Sequence, residues 1–591
     1  MKNIALAFSG GGFRAAAFSL GTLSYLQSIN YQGNPLLENV KFIGSTSGGS
    51  ITNLVYTAKK CDGATFDDFY LDLVEILSGD TLIENVFKIL NDDKIWETRP
   101  GKSRNLINAF SIAYDGKNIL NGKTFGLFSE KLTSTHLNQV TINATEFANG
   151  LSFRFQSQDK VNKSPMGRVG NNYIYFKGAG MESADKLKLA DLLACSSCFP
   201  GGFEPFIFPD DFTHAQLSNE ELSDGINFTE NPFNINTEKN DPFRDEQFKS
   251  NSKRFGLMDG GVADNQAIDS VLKANYRRKD NNKFDLIIAT DVSSYFMDGY
   301  TLPLEKKNFW SHFSLRHLSN VLLYFGLLFP IFLLRCFFNW SPWFSLFLIP
   351  TALSLITWIW VKLKLRSSAA QSIKDKSTWG IEFFKFGKYF SHIRLSALKQ
   401  FLTSRLKSVL LLTNDIYLKQ IRRHYYNMLY RDPELSKIII SNAIYDLSKV
   451  KQNAKLDPEL DKVIGSNALT EKDFGLLQPS LDLIETAERA RLMPTTLWFD
   501  NNHQQEYSMA TIIATGQFTT CYNLLKHVKK LESDAIKTLK EANLSIPDQI
   551  LDNDLEELMA KLEADWLKLN TTSPFWLYNQ MGANIQGFKT I

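Results

Sequence analysis

The chain has 591 residues, with 65 Lys or Arg against 63 Asp or Glu and a formal net charge of +2. This length allows more than one domain, and the balanced charge argues against a nucleic-acid-binding protein held by a general positive field. Five cysteines without a framework spacing argue against a disulfide scaffold and indicate a reducing compartment. The apolar stretch that begins at Asn3 is too short for a secretory leader, and we interpret it as a buried strand.

A glycine loop follows this first strand. The strand is predicted over residues 3–8, the loop is Gly10–Gly12, and an alanine-rich helix begins near Ala15. The spacing fits a loose Gly-x-Gly-x-x-Gly/Ala dinucleotide fingerprint, which also requires an acid at the end of the second strand. That strand closes in Ser45–Ser47 without an acid. We therefore favour an oxyanion loop, whose backbone N–H groups face a developing negative charge.

The stretch from Phe42 to Tyr56 joins an apolar strand to a helix through a cluster of small residues. Ser47 stands at the junction. A serine on a sharp strand-to-helix turn is exposed over the positive end of a helix, and glycines are needed there because a Cβ would collide in so tight a turn. We interpret Ser47 as a nucleophile. A plain Ser/Gly-rich turn is the alternative, because Ser45 occupies the first glycine position of the strict Gly-x-Ser-x-Gly pattern.

The next segment, residues 62–135, combines two predicted helices with aromatic, glycine-bearing loops. Such a segment is either a lid over a site or ordinary packing, and we favour packing. Strands are predicted after it over residues 140–145 and 151–155, and a further strand over 284–291. Together these elements form an alternating α/β pattern.

A second motif combines an aspartate with two glycines. Asp259 follows the strand-like segment Phe255–Met258 and precedes Gly260 and Gly261. An aspartate at a strand end, on a loop freed by glycines, is well placed as a partner for Ser47. The alternative is an ordinary Asp-Gly turn.

Taken in chain order, these motifs resemble the patatin-like phospholipase family. The motifs are Ser9–Arg14, Ser45–Gly49 and Asp259–Gly261, and the small-residue segment Ala194–Phe203 also matches in character. The resemblance covers roughly residues 1–295, while Met493–Phe499 resembles the end of bacterial members less specifically. It implies an α/β fold with a three-layer core around a central, mostly parallel sheet.

The resemblance also implies a serine acyl hydrolase with a Ser–Asp dyad and no histidine. Ser47 is then the nucleophile and Asp259 the general base. The oxyanion hole is assigned to the N–H groups of Gly10, Gly11 and Gly12. Arg14 supports that loop or contacts a substrate phosphate. The remaining supporting positions are Gly48, Gly49, Gly260 and Gly261.

A histidine and a metal ion are the other groups that such a site could contain. A Ser-Asp-His triad would place a histidine after the acid, and His503 and His527 remain open as that histidine. The sequence has no evident calcium-binding loop, so we expect neither a metal nor another cofactor.

Two apolar runs follow residue 291, at Leu318–Phe338 and Trp340–Val361. Each has roughly the 20 residues that a bilayer crossing requires. Tryptophans cluster near their ends, and basic residues flank both outer sides. By the positive-inside rule both ends are cytoplasmic. We expect a membrane hairpin with two crossings and a cytoplasmic catalytic domain; a buried core hairpin is the alternative.

These features divide the chain into four parts. They are a catalytic domain over residues 1–300, a membrane segment over 301–375, a helical region over 376–480 and a part over 481–591 that completes or packs on the catalytic domain. In the helical region, the run Leu406–Leu418 and the basic residues after it either contact anionic headgroups or form a solvated helix face, and we favour the solvated face.

The expected function is hydrolysis of an ester bond in a glycerophospholipid or lysophospholipid. The reaction would be of the phospholipase A or lysophospholipase type, through an acyl–Ser47 intermediate that water then hydrolyses. The alternatives are a neutral-lipid or general esterase and a catalytically inactive membrane scaffold or sensor. Membrane lipids are the expected partners, and nucleic acid is not.

Overall fold

The computed structural model describes residues 1–117, 119–147, 149–159, 168–228, 253–293, 309–334, 338, 342–374, 391–457, 477–547, 549–583 and 590–591. The chain forms two compact units, Met1–Met297 with Asn414–Ile591, and Asp298–Thr413. We call the first the core unit and the second the insertion unit, and we describe each by itself.

The strands of the core unit are β1 (Ile4–Phe8), β2 (Asn30–Tyr31), β3 (Asn34–Pro35), β4 (Val40–Thr46), β5 (Gln139–Glu146), β6 (Leu151–Gln156), β7 (Arg168–Gly170), β8 (Ile174–Phe176), β9 (Phe206–Phe208), β10 (Ile226–Phe228), β11 (Phe255–Asp259), β12 (Leu286–Asp291) and β13 (Ile439–Ala443). β2 and β3 form a separate pair, and the other eleven form one sheet. Its order is β10-β8-β7-β6-β5-β4-β1-β12-β13, with β11 paired to β5 and β9.

The central part of this sheet is parallel. Five strands pair parallel with one another, in the order β5, β4, β1, β12 and β13. The outer strands and β11 pair antiparallel. The predicted α/β fold with a mostly parallel central sheet is therefore confirmed.

The helices are α1 (Gly12–Ser28), α2 (Gly48–Cys61), α3 (Phe66–Ser78), α4 (Asp80–Asn91), α5 (Asp93–Glu97), α6 (Leu106–Tyr114), α7 (Gly126–Lys131), α8 (Gly180–Asp185), α9 (Leu189–Ser197), α10 (Asn219–Gly225), α11 (Gly261–Asp264), α12 (Ile268–Arg277), α13 (Leu315–Leu327), α14 (Phe329–Leu333), α15 (Leu348–Lys374), α16 (Leu395–Leu411), α17 (Leu418–Arg431), α18 (Leu435–Ile438), α19 (Lys449–Leu456), α20 (Leu481–Leu492), α21 (Asn501–Gln505), α22 (Ser508–Glu541), α23 (Asn553–Thr571) and α24 (Trp576–Gly582). A π-helical turn, Leu412–Tyr417, joins α16 to α17.

Strand β1 shows how the sheet separates two hydrophobic cores. All five of its residues are buried, and alternate residues of a strand point to opposite faces. Ile4, Leu6 and Phe8 pack in a cluster with residues of α1, α2 and α22. Ala5 and Ala7 pack in a second cluster with residues of α12 and α17. The sheet is thus the middle of three layers.

The C-terminal part of the chain packs on the first of these cores. Helix α22 runs against α1 so closely that a Cβ added to Gly516 would lie 3.0 Å from the Cα of Gly21. The Gln517 amide also donates a 2.9 Å hydrogen bond to the Ser24 hydroxyl. Residues far apart in sequence therefore share one core.

The parallel strands bring their carboxyl ends to one edge of the sheet. β1 ends just before the glycine loop, and β4 ends at Thr46, directly before Ser47. β12 ends at the same edge, at Asp291. This edge is where parallel α/β sheets carry their ligand sites.

In the insertion unit, two apolar segments pack against each other. A Cβ on Gly326 would lie 2.8 Å from the Cα of Leu355, and the Ser354 hydroxyl donates to the Leu322 carbonyl at 2.8 Å. Two segments, Leu315–Leu333 and Ser345–Lys364, are long and apolar enough to cross a membrane. Only 6% and 11% of their respective most apolar 18-residue stretches are buried. Parts of the predicted spans, around residues 335–337 and 339–341, lie outside the described residues.

Two features differ from the prediction of a helical region over 376–480. Its residues 439–443 form strand β13, which extends the parallel sheet beside β12. In addition, Arg422, one of the basic residues assigned to a solvated or headgroup-facing run, is buried in an ion pair with Asp291. Residues 375–390 and 458–476 of this region lie outside the described residues.

Candidate active site

Ser47 occupies a strained turn between β4 and α2. Its backbone has φ 51° and ψ −124°, a conformation that a residue with a Cβ rarely adopts outside functional sites. The two glycines after it allow the turn to fit. A Cβ on Gly48 would collide with the Gly12 carbonyl, and one on Gly49 would lie 2.7 Å from the Phe8 carbonyl oxygen. The turn thus presses against β1 and the glycine loop.

Asp259 ends β11 and is buried beside this turn. Its Oδ1 accepts a 2.6 Å hydrogen bond from the Gly261 N–H. Burial raises the pKa of Asp259 to about 6, while hydrogen bonding to the Ser47 side chain and to the Gly261 N–H acts in the opposite direction. The structure therefore brings together the two residues predicted as nucleophile and base, although 212 positions separate Ser47 from Asp259 (259 − 47).

The end of α9 connects both residues. The Ser47 N–H donates to the Ser196 hydroxyl at 3.0 Å, and the Gly260 N–H donates to the Ser196 carbonyl at 3.3 Å. Two residues further on, the Cys198 carbonyl accepts the Asp259 N–H at 3.1 Å. The sequence indicated this segment only as a family-like stretch of small residues, and its connecting position was not predicted.

A chain of side chains extends from Ser196 back into the strand. The Ser196 and Ser50 hydroxyls lie 2.9 Å apart, and the Ser50 hydroxyl donates to that of Ser45 at 3.1 Å. The Asn53 amide donates to the same Ser45 hydroxyl at 2.8 Å. Ser45, which occupies the first glycine position of the Gly-x-Ser-x-Gly pattern, therefore takes part in a buried network that reaches the turn at Ser47.

The glycine loop lies directly against Ser47. A Cβ on Gly10 would stand 3.2 Å from the Ser47 Cβ. The Gly10 N–H donates to the Asn265 carbonyl at 2.8 Å, which leaves Gly11 and Gly12 as the candidates among the three predicted oxyanion donors. Gly11 has φ 135° and Gly12 has φ 63°, so both adopt backbone conformations that favour glycine.

Asn265 links this loop to the aspartate loop. Besides its carbonyl contact with Gly10, its side-chain Oδ1 lies 2.5 Å and 2.7 Å from the positions of Cβ atoms added to Gly10 and Gly261. Side chains at these glycines would displace Asn265. The sequence placed Asn265 after the aspartate motif but did not predict this contact.

Arg14 holds the helix after the glycine loop from within the protein. Its guanidinium donates to the Val292 carbonyl at 2.8 Å and to the Met493 carbonyl. Burial lowers the pKa of Arg14 to about 10. Arg14 had two predicted roles, support of the loop and contact with a substrate phosphate. These contacts fit the first role, because a guanidinium engaged by two carbonyls is a poor ligand for a phosphate.

The two histidines that the sequence left open have other surroundings. His503 pairs with Asp500, with 2.7 Å between Nδ1 and Oδ1. Burial lowers the pKa of His527 to about 4, and the charges of Lys530 and of the amino terminus act in the same direction. The amino terminus precedes β1, so His527 is near the edge of the sheet opposite Ser47.

One part of the chain is similar to a known protein family. A family model described as Patatin-like phospholipase matches residues 6–272. Residues 6–272 are therefore similar to a patatin-like phospholipase domain. This range contains Ser47, Asp259 and the glycine loop.

Two solved structures show limited similarity to this patatin-like protein. Human GIVD cytosolic phospholipase A2 matches with a TM-score of 0.30 and 12% identity over 49% of this chain, and the chain covers only 46% of that protein. VipD from Legionella pneumophila matches with a TM-score of 0.24 and 10% identity. That match covers 100% of this chain and 93% of the VipD chain. None of the curated proteins matches the sequence significantly.

Proposed function

We propose that the protein is a membrane-anchored serine acyl hydrolase that cleaves ester bonds of glycerophospholipids or lysophospholipids with a Ser47–Asp259 dyad. The main support is the contact between these two side chains, in which a serine on a strained turn meets a buried carboxyl group. A serine hydroxyl is a weak nucleophile at neutral pH and requires such a base within hydrogen-bond reach.

In the first half of the reaction, ionised Asp259 accepts the Ser47 proton as Oγ attacks the ester carbonyl carbon. The N–H groups of Gly11 and Gly12 stabilise the negative charge that develops on the carbonyl oxygen. Asp259 then donates the proton to the departing alcohol, which leaves an acyl–Ser47 ester. Base catalysis of this kind contributes about 10²–10⁴-fold, and one oxyanion donor about 10²–10³-fold.

In the second half, water attacks the acyl–Ser47 carbonyl. Asp259 accepts a proton from that water and returns it to the Ser47 oxygen as the C–O bond breaks. The products are a fatty acid and the free enzyme. A pKa of about 6 suits Asp259 for both directions of proton transfer, because an efficient acid–base group has a pKa near the working pH.

The two apolar segments of the insertion unit would anchor the enzyme in a bilayer. Little of their apolar surface is buried, and a core hairpin would need protein around it. In the sequence, Lys306 precedes the first segment and Arg316 is its second residue, while Lys362 and Lys364 are at the end of the second segment. This distribution favours two crossings with the core unit on the cytoplasmic side.

The decisive experiment incubates the purified full-length protein with defined lipids and identifies the products by mass spectrometry. We expect release of fatty acid from phospholipid or lysophospholipid, and its loss in both Ser47→Ala and Asp259→Asn. Full activity in either variant would rule out the dyad. Hydrolysis of triacylglycerol alone would indicate a neutral lipase, and no hydrolysis of any ester would indicate a scaffold. Extraction of the protein by alkaline carbonate would contradict the membrane anchor.

A further inference from the structure

Helix α16 begins beside the start of the first apolar segment. Within the insertion unit, the Leu395 N–H donates to the Phe313 carbonyl at 2.7 Å. Next to this bond, Ser314 and Arg394 form a β-bridge. Ser314 is also the N-cap residue of α13, the first helix of the apolar segment. The start of α16 is therefore fixed at the level where the proposed hairpin enters the bilayer.

α16 carries an apolar stripe that solvent reaches. Leu395, Leu398, Leu402, Leu406 and Val409 follow one another at intervals of three or four residues, which places them on one face of a helix. Leu402, Leu406 and Val409 are 59%, 63% and 57% exposed. A contiguous exposed apolar surface marks an interaction site.

The charge around this stripe has one sign. From residue 383 to residue 414 the sequence contains no Asp or Glu, in a chain whose charges otherwise balance. The basic residues in this span are Lys385, Lys388, Arg394, Lys399, Arg405 and Lys407. Arg394, Lys399 and Arg405 are exposed. Clusters of four to eight Lys and Arg on an amphipathic helix next to a membrane helix are typical of binding to anionic lipids.

We propose that α16 is an interfacial helix that binds the surface of an anionic bilayer. Its apolar stripe enters the boundary between headgroups and acyl chains, and Arg394, Lys399 and Arg405 contact phosphate and other anionic headgroups. This inference rests on the membrane anchor of the proposed function. It adds a preference for one class of membrane: a bilayer rich in anionic lipid holds α16 at its surface, whereas a neutral bilayer does so weakly.

The test compares full-length protein reconstituted into vesicles of phosphatidylcholine alone with vesicles containing one third phosphatidylglycerol. Hydrogen exchange of the amides in residues 395–411 reports whether α16 is held at the surface. We expect several-fold slower exchange on the anionic vesicles, and loss of this difference at high salt because exposed charges are screened. Equal exchange on both vesicles would overturn the proposal.

A variant with Arg394→Gln, Lys399→Gln and Arg405→Gln tests the charges directly. Loss of three surface cations weakens attraction to an anionic surface by roughly a hundredfold, so slow exchange should disappear. The matched control replaces three exposed lysines of the core unit, Lys437, Lys537 and Lys540, by Gln and should behave as the wild type. Slow exchange that persists in the first variant would contradict the assignment of these residues.

The same samples distinguish this inference from the proposed function. Wild-type protein that is extracted by carbonate or releases no fatty acid contradicts the proposed function. Protein that stays in the membrane and hydrolyses lipid, but whose α16 exchanges equally on both vesicles, contradicts only the role of α16. Hydrolysis of a soluble short-chain ester should be equal in all variants, because none of the replaced residues is among those assigned to the site around Ser47.

Discussion

The backbone N–H of Ser47 donates a 3.0 Å hydrogen bond to the side chain of Ser196. This bond holds the strained turn from the side of α9, and the Ser196 carbonyl holds Gly260 next to the aspartate. Ser196 thereby connects the loops that carry Ser47 and Asp259. Its expected role is to position the two side chains rather than to touch the substrate.

Replacing Ser196 by alanine should lower kcat while KM stays nearly constant, because the hydroxyl that holds the Ser47 turn is lost. A small displacement of a reacting group lowers the reaction rate by up to about 100-fold. We expect kcat for steady-state hydrolysis to fall by that order. The control is Ser197→Ala, which removes a buried hydroxyl that has no hydrogen-bond partner in the described part of the chain. Equal losses in the two variants would indicate a general packing effect.

The activity should depend on pH through Asp259. Because the base must be ionised and its pKa is about 6, kcat/KM should be half-maximal near that pH and fall about tenfold for each unit below it. The measurement is a pH profile of kcat/KM on a soluble ester, over the range in which circular dichroism shows the protein folded. A profile that is flat between pH 5 and 7 would contradict the role of Asp259.

The same shift predicts that Asp259→Asn stabilises the protein above pH 6. Burial raises the pKa of Asp259 from an ordinary 3.8 to about 6, so the native state binds the proton more tightly than the unfolded state. The tighter proton binding therefore adds about 3 kcal/mol to the free energy of unfolding below pH 3.8. This stabilisation is lost as the pH rises through 6. Thermal unfolding should show Asp259→Asn more stable than wild type at pH 8 and not at pH 4. A variant of lower stability at pH 8 would show that the hydrogen bonds to Asp259 outweigh the cost of burying its charge.

Placing the first glycine of the Gly-x-Ser-x-Gly pattern at position 45 should destabilise this protein. Ser45→Gly removes a hydroxyl that accepts from Ser50 and Asn53, and leaving buried polar groups unsatisfied costs about 1–3 kcal/mol. Ser45→Ala isolates that loss, and the difference between the two variants gives the backbone cost of glycine, about 0.5–1 kcal/mol. Denaturant unfolding measures both. Wild-type stability in Ser45→Ala would show that the network contributes nothing.

The buried ion pair between Arg422 and Asp291 predicts a larger effect. Both side chains are almost fully buried, and the Tyr426 hydroxyl also donates to Asp291 at 3.2 Å. Arg422→Met leaves the carboxylate without its cation, which costs about 3–5 kcal/mol. Thermal unfolding should show this loss, whereas Arg423→Met, an exposed neighbour, should be neutral. Adding Asp291→Asn to Arg422→Met should recover part of the lost stability. No recovery would show that the loss comes from the packing of the Arg422 side chain and not from its charge.

The strands and the loops around Ser47 and Asp259 could be predicted because their signals are local. A short apolar strand followed by glycines is recognisable without knowing what packs on it. Strand β13 was not predicted, since the apolar run Ile438–Ile440 fits a buried helix as well as a strand. Only its position beside β12 determines the choice.

The connecting residues of the site could not be predicted for a related reason. Ser196 lies 149 positions from Ser47, and nothing in its own neighbourhood indicates which N–H its hydroxyl accepts. Arg422 is similar, because its position among Lys and Arg residues suggests a solvated helix. Its burial depends on Asp291, which is 131 positions away. Such pairings arise from tertiary packing and leave no trace in local periodicity.

The parallel pairing of β12 with β13 has a consequence for the chain length that can separate the two strands. The two strands lie side by side, with Ile287 opposite Ile439, although the whole of Asp298–Thr413 separates them in the chain. Helix α17 already supplies the crossover that parallel neighbours require, and doubling the length of a loop costs only about 0.6 kcal/mol. The sheet therefore takes no strand from the described part of the insertion unit, and a change in the length of that unit would leave the pairing of β12 with β13 in place.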